Sequence, residues 1–365
     1  MGRWQFTFIF FRYIMEVMNI RELGDAIKNS ENFKGIVSFN EPLADKTTMK
    51  VGGPALIFVE PEDVLSLVSA LVVLKQVKAP VFVLGGGSNI VVKDEGIRKV
   101  VISTAKLRGF SMVPGKPMPF ELEDFEQAKE CCPITVSVGA GTLVNELTEW
   151  VSKYGIIGLQ KFAGLPGTVG GACYMNARCY GEDFGDLVMQ VKYIDIDDVH
   201  YVNKFTLDSV VKTYTHYKGQ SDWDYKKSPF QGKRWIIIEA SLALSCIDMY
   251  ITEGCFANPA VQDYIRGGNS SYIKDREEKG HFKAPSAGSV FKNNRDFGKP
   301  SGKIIDEVGL KGTKMGGAQV APWHGNFIIN NGNATAADVK NLVAFVQEKV
   351  KENTGFSLES EIIFV

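Results

Sequence analysis

The stretch Ala163-Gly164-Leu165-Pro166-Gly167-Thr168-Val169-Gly170-Gly171-Ala172-Cys173-Tyr174-Met175-Asn176-Ala177-Arg178-Cys179-Tyr180-Gly181 decides how this chain is read. It is dense in glycine, contains a Pro-Gly turn and has almost no charge. Neither a helical nor a strand period fits it. Each glycine loses much backbone entropy on ordering, so a compensating contact that needs bare backbone is expected. A tight structural loop between strands is one such contact. A dinucleotide cofactor pressed against main-chain amides is the better one, because a second glycine run, Gly85-Gly86-Gly87-Ser88-Asn89, precedes it in the chain.

That second run follows a short apolar strand at 81–84. A Rossmann site would need G-x-G-x-x-G opening a helix. Here Ile90 stands where the third glycine should be, and Ile90-Val91-Val92 reads as a strand. Phosphates would then sit in a concave nest of backbone amides, with Ser88 and Asn89 as extra donors. A plain turn is the competing reading of this run alone. Two further sets, Val138-Gly139-Ala140-Gly141-Thr142 and Lys50-Val51-Gly52-Gly53, complete four glycine turns around short strands. That arrangement suits a large cofactor threaded between two small α/β units.

A chain of 365 residues suggests two or three domains. With 45% hydrophobic and 23% charged residues it has the balance of an ordinary globular protein, and a net charge of −1 gives no reason to expect nucleic acid or an anionic membrane as partner. The cysteines are Cys131, Cys132, Cys173, Cys179, Cys246 and Cys255. None forms a C-x-x-C pair, which argues against zinc and against a disulfide framework, so no metal is expected and the thiols read as reduced and cytoplasmic. Residues 6–14 are apolar but interrupted by Arg12, too short to span a bilayer. Residues 1–35 read as a poorly ordered extension, with Met15 or Met18 as alternative starts.

Residues 60–78 read as a helix with Pro61 in its first turn, and 99–103, 134–138, 188–196 and 235–244 as strands. Residues 110–133, with four prolines, read as an irregular surface excursion. Residues 143–154 make an amphipathic helix with Thr142 as its expected N-cap. Residues 245–280 are polar and broken by Gly267-Gly268, and give the domain boundary. Beyond it come a short helix at 301–307, a strand at 327–329, a long helix at 335–353 with Thr335 and Asp338 at capping-box spacing and Gly355 at its end, and a final strand at 361–365.

The second half carries Pro285-Ser286-Ala287-Gly288-Ser289-Val290-Phe291-Lys292-Asn293. G-x-S-x-G is absent and no His stands nearby in sequence, so Ser289 is not read as a nucleophile. A proton donor needs position rather than an adjacent base. A Ser-rich turn is the plain alternative.

Taken together, the motifs resemble the UDP-N-acetylenolpyruvoylglucosamine reductase family. The matching segments stand in the family's order: Thr47-Thr48-Met49-Lys50-Val51-Gly52-Gly53, Leu84 with Gly85-Gly86-Gly87-Ser88-Asn89, Val138 through Gly141, the 163–181 stretch, Tyr225-Lys226-Lys227-Ser228-Pro229-Phe230, the 285–293 segment, Gly316-Gly317-Ala318, residues 324–330, and Leu358-Glu359-Ser360-Glu361. The resemblance spans about residues 40–365. It implies an α+β protein. A flavin-binding fold of the vanillyl-alcohol-oxidase type, with two α/β subdomains meeting near residue 106, would occupy 36–245. A smaller α/β substrate domain would occupy 246–365.

It further implies non-covalent FAD, NADPH as co-substrate and a UDP-sugar substrate, in a cytoplasmic step of peptidoglycan precursor synthesis with no membrane insertion. A monomer is compatible with this; the oligomeric state is left open. Ser289 would protonate substrate C2, with Glu361 and Lys226 beside the substrate carboxylate. Tyr225, Asn293, His324 and Lys279 would contact substrate. FAD would be held by Gly52, Gly53, Gly85, Gly86, Gly87, Ser88, Asn89, Gly139, Gly141, Gly164, Pro166, Gly167, Thr168, Gly170, Gly171, Asn176, Tyr180 and Gly181. Three departures stand out. Lys226 replaces the family's Arg, Arg178 stands where a glycine is expected, and 245–280 matches poorly, including any tyrosine that caps the substrate. The alternatives are another FAD oxidoreductase of the same flavin fold, such as a sugar or alcohol oxidase, and a flavin-binding relative without catalysis.

Overall fold

The computed structural model describes residues 19–114, 132–217, 222–247 and 256–365. The apolar 6–14 segment, Cys131, Cys255, most of the 110–133 excursion and part of the 245–280 segment lie outside them. The chain divides into two compact units. One gathers described residues of 1–37, 59–85 and 102–274, and the other gathers 38–58, 86–101 and 275–365. The division differs from the sequential one expected. Residues 38–58 and 86–101 join the C-terminal unit, and that unit's last segment begins at 275 instead of 246.

The first unit is built on an antiparallel sheet. Its order is Val211–Thr215, Val188–Asp195, Trp235–Cys246, Cys132–Gly139, Phe110–Pro114, with Ile156–Ile157 added along Trp235–Cys246. One face of the strands alternates Ile134, Val136 and Val138 with Ala240, Leu242 and Leu244 into a common core, as period-two patterning requires. Phe230 is fully buried there. Tyr214, Trp223, Trp235 and Tyr193 surround it with ring centroids 5.5–6.3 Å away. The sheet's other face carries a polar groove lined by Lys106, Ser137, Lys192 and Glu239; of the expected site residues only Gly139 borders it.

Four local readings change. The helix expected at 60–78 starts at Val64 and ends at Gln76, because Pro54–Pro61 is a strand and the Asp63 carboxylate caps the helix by accepting from Ser66 N–H at 2.7 Å. Strand Pro54–Pro61 lies in a four-stranded sheet of order Gly35–Pro42, Pro54–Pro61, Ile97–Ser103, Val81–Leu84. Residues 1–35 include a helix, Ile20–Lys28, closed by a reciprocal Asn19/Glu22 capping box. The start of the 110–133 excursion is a strand, Phe110–Pro114, paired to Cys132–Gly139.

Most of the described part of 245–280 is one helix, Pro259–Glu278, running through Gly267-Gly268. Each glycine costs a helix about 1 kcal/mol relative to Ala. Packing overrides that penalty: Ile265 and Asn269 are buried, the Asn269 amide donates to Ser152 Oγ at 3.0 Å, and Gly268 passes close to Gln160.

In the second unit, strands Ser286–Ser289, Phe327–Asn330, Ala318–Val320 and Lys314–Met315 form an antiparallel sheet in that order. Helix Ala336–Thr354 buries Val339, Leu342, Val343 and Val346 in the same core as Val290 and Ile328. Thr335 and Asp338 make the expected capping box and Gly355 ends the helix in the left-handed region. The Asp94 carboxylate adds two bonds, accepting from Ala336 and Ala337 N–H at 2.7 and 3.0 Å. The final strand is short, Ile363–Phe364, and pairs in parallel with Ile90–Val91. Buried Asn326 braces this unit, accepting from Phe291 N–H and donating to Phe291 C=O at 2.9 and 2.8 Å. Asn326→Ala leaves both buried groups unpaired, so a loss of about 2–5 kcal/mol in unfolding free energy is expected, measurable by urea denaturation.

Candidate flavin and substrate site

In the first unit the two glycine motifs are stitched to each other. Val169 N–H donates to Thr142 C=O, Gly170 N–H to Ala140 C=O and Val144 N–H to Gly167 C=O, at 2.9–3.1 Å. The 163–181 stretch is not wholly irregular, since it contains the helix Val169–Met175, capped by Thr168 Oγ1. Its glycines hid it, because glycine lowers helix propensity. Gly170 is required by the chain itself. A methyl there would meet the Ala140 side chain at 2.8 Å, and one at Gly141 would meet the Thr104 carbonyl oxygen at 2.1 Å. Gly139, Gly53 and Gly87 likewise back onto neighbouring backbone. These positions are glycine for close chain packing, whether or not a ligand lies beyond. Thr142 is not the N-cap of the next helix. Leu143 holds that position, with its N–H bonded to the Glu146 carboxylate, and the buried Thr142 hydroxyl has no hydrogen-bond partner among the described residues.

That orphaned hydroxyl fits a bound polar ligand. So do the consecutive amides of Gly85 through Asn89, none of which has a protein acceptor among the described residues. At Gly85 a methyl would meet Thr168 Oγ1 at 3.0 Å and touch the Gly171 backbone at 3.8 Å. The residues present therefore suit a flavin nucleotide: Gly85 and Thr142 offer donors in the first unit, and Gly86 to Ser88 offer a run of amides in the second. Cys173 and Cys179 are buried, and burial pushes the Cys173 thiol upward, leaving it a poor nucleophile for attachment. Denaturing the holoprotein should release all flavin into the supernatant; flavin retained on the precipitated chain would contradict this.

The rest of the 163–181 stretch meets the Tyr-x-x-Ser-x-Phe segment. Asn176, left-handed at φ 41°, donates to Asp224 C=O and accepts from Gly185 N–H, both at 2.8 Å. Ser228 Oγ donates to Tyr174 C=O at 2.7 Å. With Ser228 and Phe230 buried as anchors, Tyr225 and Lys226 are displayed on a turn closed by the Lys227 N–H to Asp224 C=O bond. Lys226 sits there at φ +58°, a conformation a non-glycine residue adopts at a cost. Arg178–Cys179 and Glu182–Asp183 pair across Tyr180-Gly181, whose φ values of +49° and +87° match a type I′ turn. Arg178 bonds Asp183 at 2.6 Å, and burial, opposed by Arg178 and Lys226, raises the Asp183 carboxyl. Tyr180 packs on Tyr272 of helix Pro259–Glu278, ring centroids 4.7 Å apart, so the poorly matching segment does supply a tyrosine to this loop.

In the second unit Ser289 ends its strand, opposite Phe327. Its half-buried hydroxyl has no hydrogen-bond partner among the described residues. Glu361 N–H donates to Val290 C=O at 2.7 Å and Lys292 N–H to Glu359 C=O at 2.9 Å, which laces the Leu358 to Glu361 segment beside Ser289. The Asn89 side chain donates to Glu361 C=O at 3.1 Å; the residue expected to serve flavin with its amide also fixes the backbone of Glu361. Asn293 Oδ1 accepts from Ser301 N–H at 2.9 Å, so it caps a helix besides any substrate role. Lys279 is exposed and ion-paired to Asp275 at 2.6 Å. Asn326, Asn330 and Asp94 were not expected from sequence, since their partners include Phe291, Met49 and Ala336, far away in the chain; Asp183 was missed although its partner Arg178 is only five residues away.

His324 is half-buried with its ring 4.5 Å from that of Phe327. Its Nδ1 accepts from Asn326 N–H at 3.2 Å, which leaves the neutral ring's proton on Nε2. Burial, then Lys279 and Lys311, hold its pKa down, and burial with Arg276 lowers neighbouring His281 to about 4. His281 is therefore neutral in the fold across a range where the unfolded imidazole is protonated. Stability should be full above pH 6.5 and fall as pH drops towards 4. Urea denaturation at pH 7 and pH 5 should show this, and His281→Gln should flatten the slope.

Comparison with known proteins identifies the ensemble. Residues 280–365 match the family described as UDP-N-acetylenolpyruvoylglucosamine reductase, C-terminal domain, and residues 55–199 match the FAD binding domain family. The reductase so named from Treponema denticola is 42% identical over 335 residues, covering 91% of this chain and 94% of that protein. The chain belongs to the UDP-N-acetylenolpyruvoylglucosamine reductase family. The reductase of Treponema pallidum is 38% identical over 348 residues, covering 89% and 92%. The crystal structure of the reductase from Thermus caldophilus superposes with TM-score 0.62 at 28% identity, over 91% of this chain and all of that one. The α+β architecture, an FAD-binding domain followed by the reductase C-terminal domain, is thus that of the family. No described helix is long and apolar enough to cross a membrane.

Proposed function

We propose that this protein reduces UDP-N-acetylglucosamine enolpyruvate to UDP-N-acetylmuramate with NADPH, a cytoplasmic step of peptidoglycan precursor synthesis. The observation that supports this best is the lacing of the Glu361 backbone onto Val290, which joins the two distant motifs that carry Ser289 and Glu361. Bound FAD would supply the hydride transfer that links NADPH oxidation to reduction of the enol ether at C3. Charge then develops at C2 and spreads into the adjacent carboxylate. Ser289 Oγ–H, unengaged by the protein, gives its proton to C2. Lys226 and Glu361 flank the carboxylate, where a preorganised cation lowers the energy of the charged transition state. Tyr225, His324 and Asn293 orient the sugar nucleotide, His324 as a neutral Nε2–H donor.

Anaerobic spectroscopy tests the reading. NADPH should bleach the yellow protein, and the enolpyruvyl sugar should restore the colour much faster than oxygen does. Rapid recovery with oxygen alone would favour an oxidase, and no bleaching would favour a non-catalytic flavoprotein.

A further inference from the structure

The two residues that depart from the family pattern, Lys226 and Arg178, lie around one aromatic ring. The Arg178 guanidinium carbon is 6.0 Å from the Tyr225 ring centroid, and the Lys226 ammonium is 5.9 Å from the same centroid. One arises from the Arg178–Cys179 strand of a tight hairpin and the other from a strained turn, so two independent pieces of backbone bring cations to one place. Beside Arg178 stands Asp183, whose Oδ2 takes Arg178 Nη1, whose buried Oδ1 has no partner among the described residues, and which also feels the charge of Lys226. The bond to Asp183 uses one of the five N–H donors of the guanidinium and fixes its orientation.

We propose that Arg178 is a carboxylate-binding residue of the substrate site, supplying the two-pronged guanidinium contact while Lys226 supplies a point charge beside the same Tyr225 ring. The proposal rests on the reading that position 226 faces the enolpyruvyl carboxylate. Lysine cannot reproduce the planar fork of arginine. A guanidinium held by Asp183 on one edge presents its remaining donors to an anion, and bidentate pairing is the strong mode of carboxylate recognition. The plain alternative is a cross-strand ion pair that only stiffens the hairpin.

Calorimetric titration of the oxidised holoprotein separates these. The probes are the enolpyruvyl sugar nucleotide and UDP-N-acetylglucosamine, which lacks the carboxylate. Arg178→Ala should weaken the first about 10- to 100-fold, the range for a lost hydrogen bond to a charged group, and leave the second unchanged. Arg178→Lys should recover part of the loss. The paired variant R178Q/D183N keeps a hydrogen-bonded hairpin without charge and should show the same selective loss, which guards against a fold defect in Arg178→Ala. Equal weakening of both ligands, or none in either variant, would overturn the proposal. If Lys226→Met also leaves the preference for the carboxylate intact, the reading of position 226 fails as well. If only the Lys226 variant loses it, Arg178 alone is excluded.

Discussion

Ser289→Ala should leave bleaching by NADPH near the wild-type rate and slow recovery by the enolpyruvyl sugar by about 10²–10⁴-fold, the usual contribution of general acid catalysis. Its side chain makes no hydrogen bond among the described residues, and its strand position is set by pairing with Phe327. Removing one oxygen there should disturb neither the sheet nor flavin binding. Stopped-flow spectroscopy of the two half-reactions measures both effects on one sample. An equal loss in both halves would make Ser289 a structural residue. A second signature is available in heavy water, where the new C2–H bond carries solvent deuterium. With Ala at 289, deuterium delivery should lose facial selectivity if water replaces the hydroxyl, which product NMR would reveal.

How much of this site could be read from the sequence depends on the range of each interaction. The long helix Ala336–Thr354 was legible because its cap, its apolar period and its terminal glycine are all local. Helix Pro259–Glu278 was not. Its two adjacent glycines argue locally for a break, and only burial of Ile265 and Asn269 against distant segments keeps it whole. The glycine motifs were visible in the sequence, but part of the physical reason for them was not. Gly141 and Gly170 are needed for one motif to lie on the other, a contact no single stretch displays. The departures at 178 and 226 were visible as separate oddities. Their meeting around Tyr225 is a tertiary fact, carried by a hairpin and a turn that sequence spacing cannot relate.

Lys226→Met should cut turnover about 10²–10³-fold, since removing a preorganised donor from a charged transition state costs about 2.7–4 kcal/mol. Lys226 is half-buried beside Tyr225 and its charge reaches Asp183. Neighbouring Lys227 is 68% exposed and sits 3.7 Å from Asp224, so it is poorly placed to substitute. The positive φ at 226 allows a sharper control. Lys226→Gly removes the same charge but relieves the backbone, a gain of about 1 kcal/mol or more where a strained non-glycine residue is released. That variant should be at least as stable as wild type and as inactive as the Met variant, which separates loss of charge from loss of fold. Lys226→Arg keeps both charge and strain, and should change turnover little, because a guanidinium already stands 6.0 Å from the Tyr225 ring. A marked rise in turnover would mean that the site was built around a fork at 226 and that Arg178 does not provide one. Steady-state rates with thermal melts of all three variants decide the matter. Activity near wild type in the Met and Gly variants would remove Lys226 from the mechanism and leave Ser289 and Glu361 to carry it.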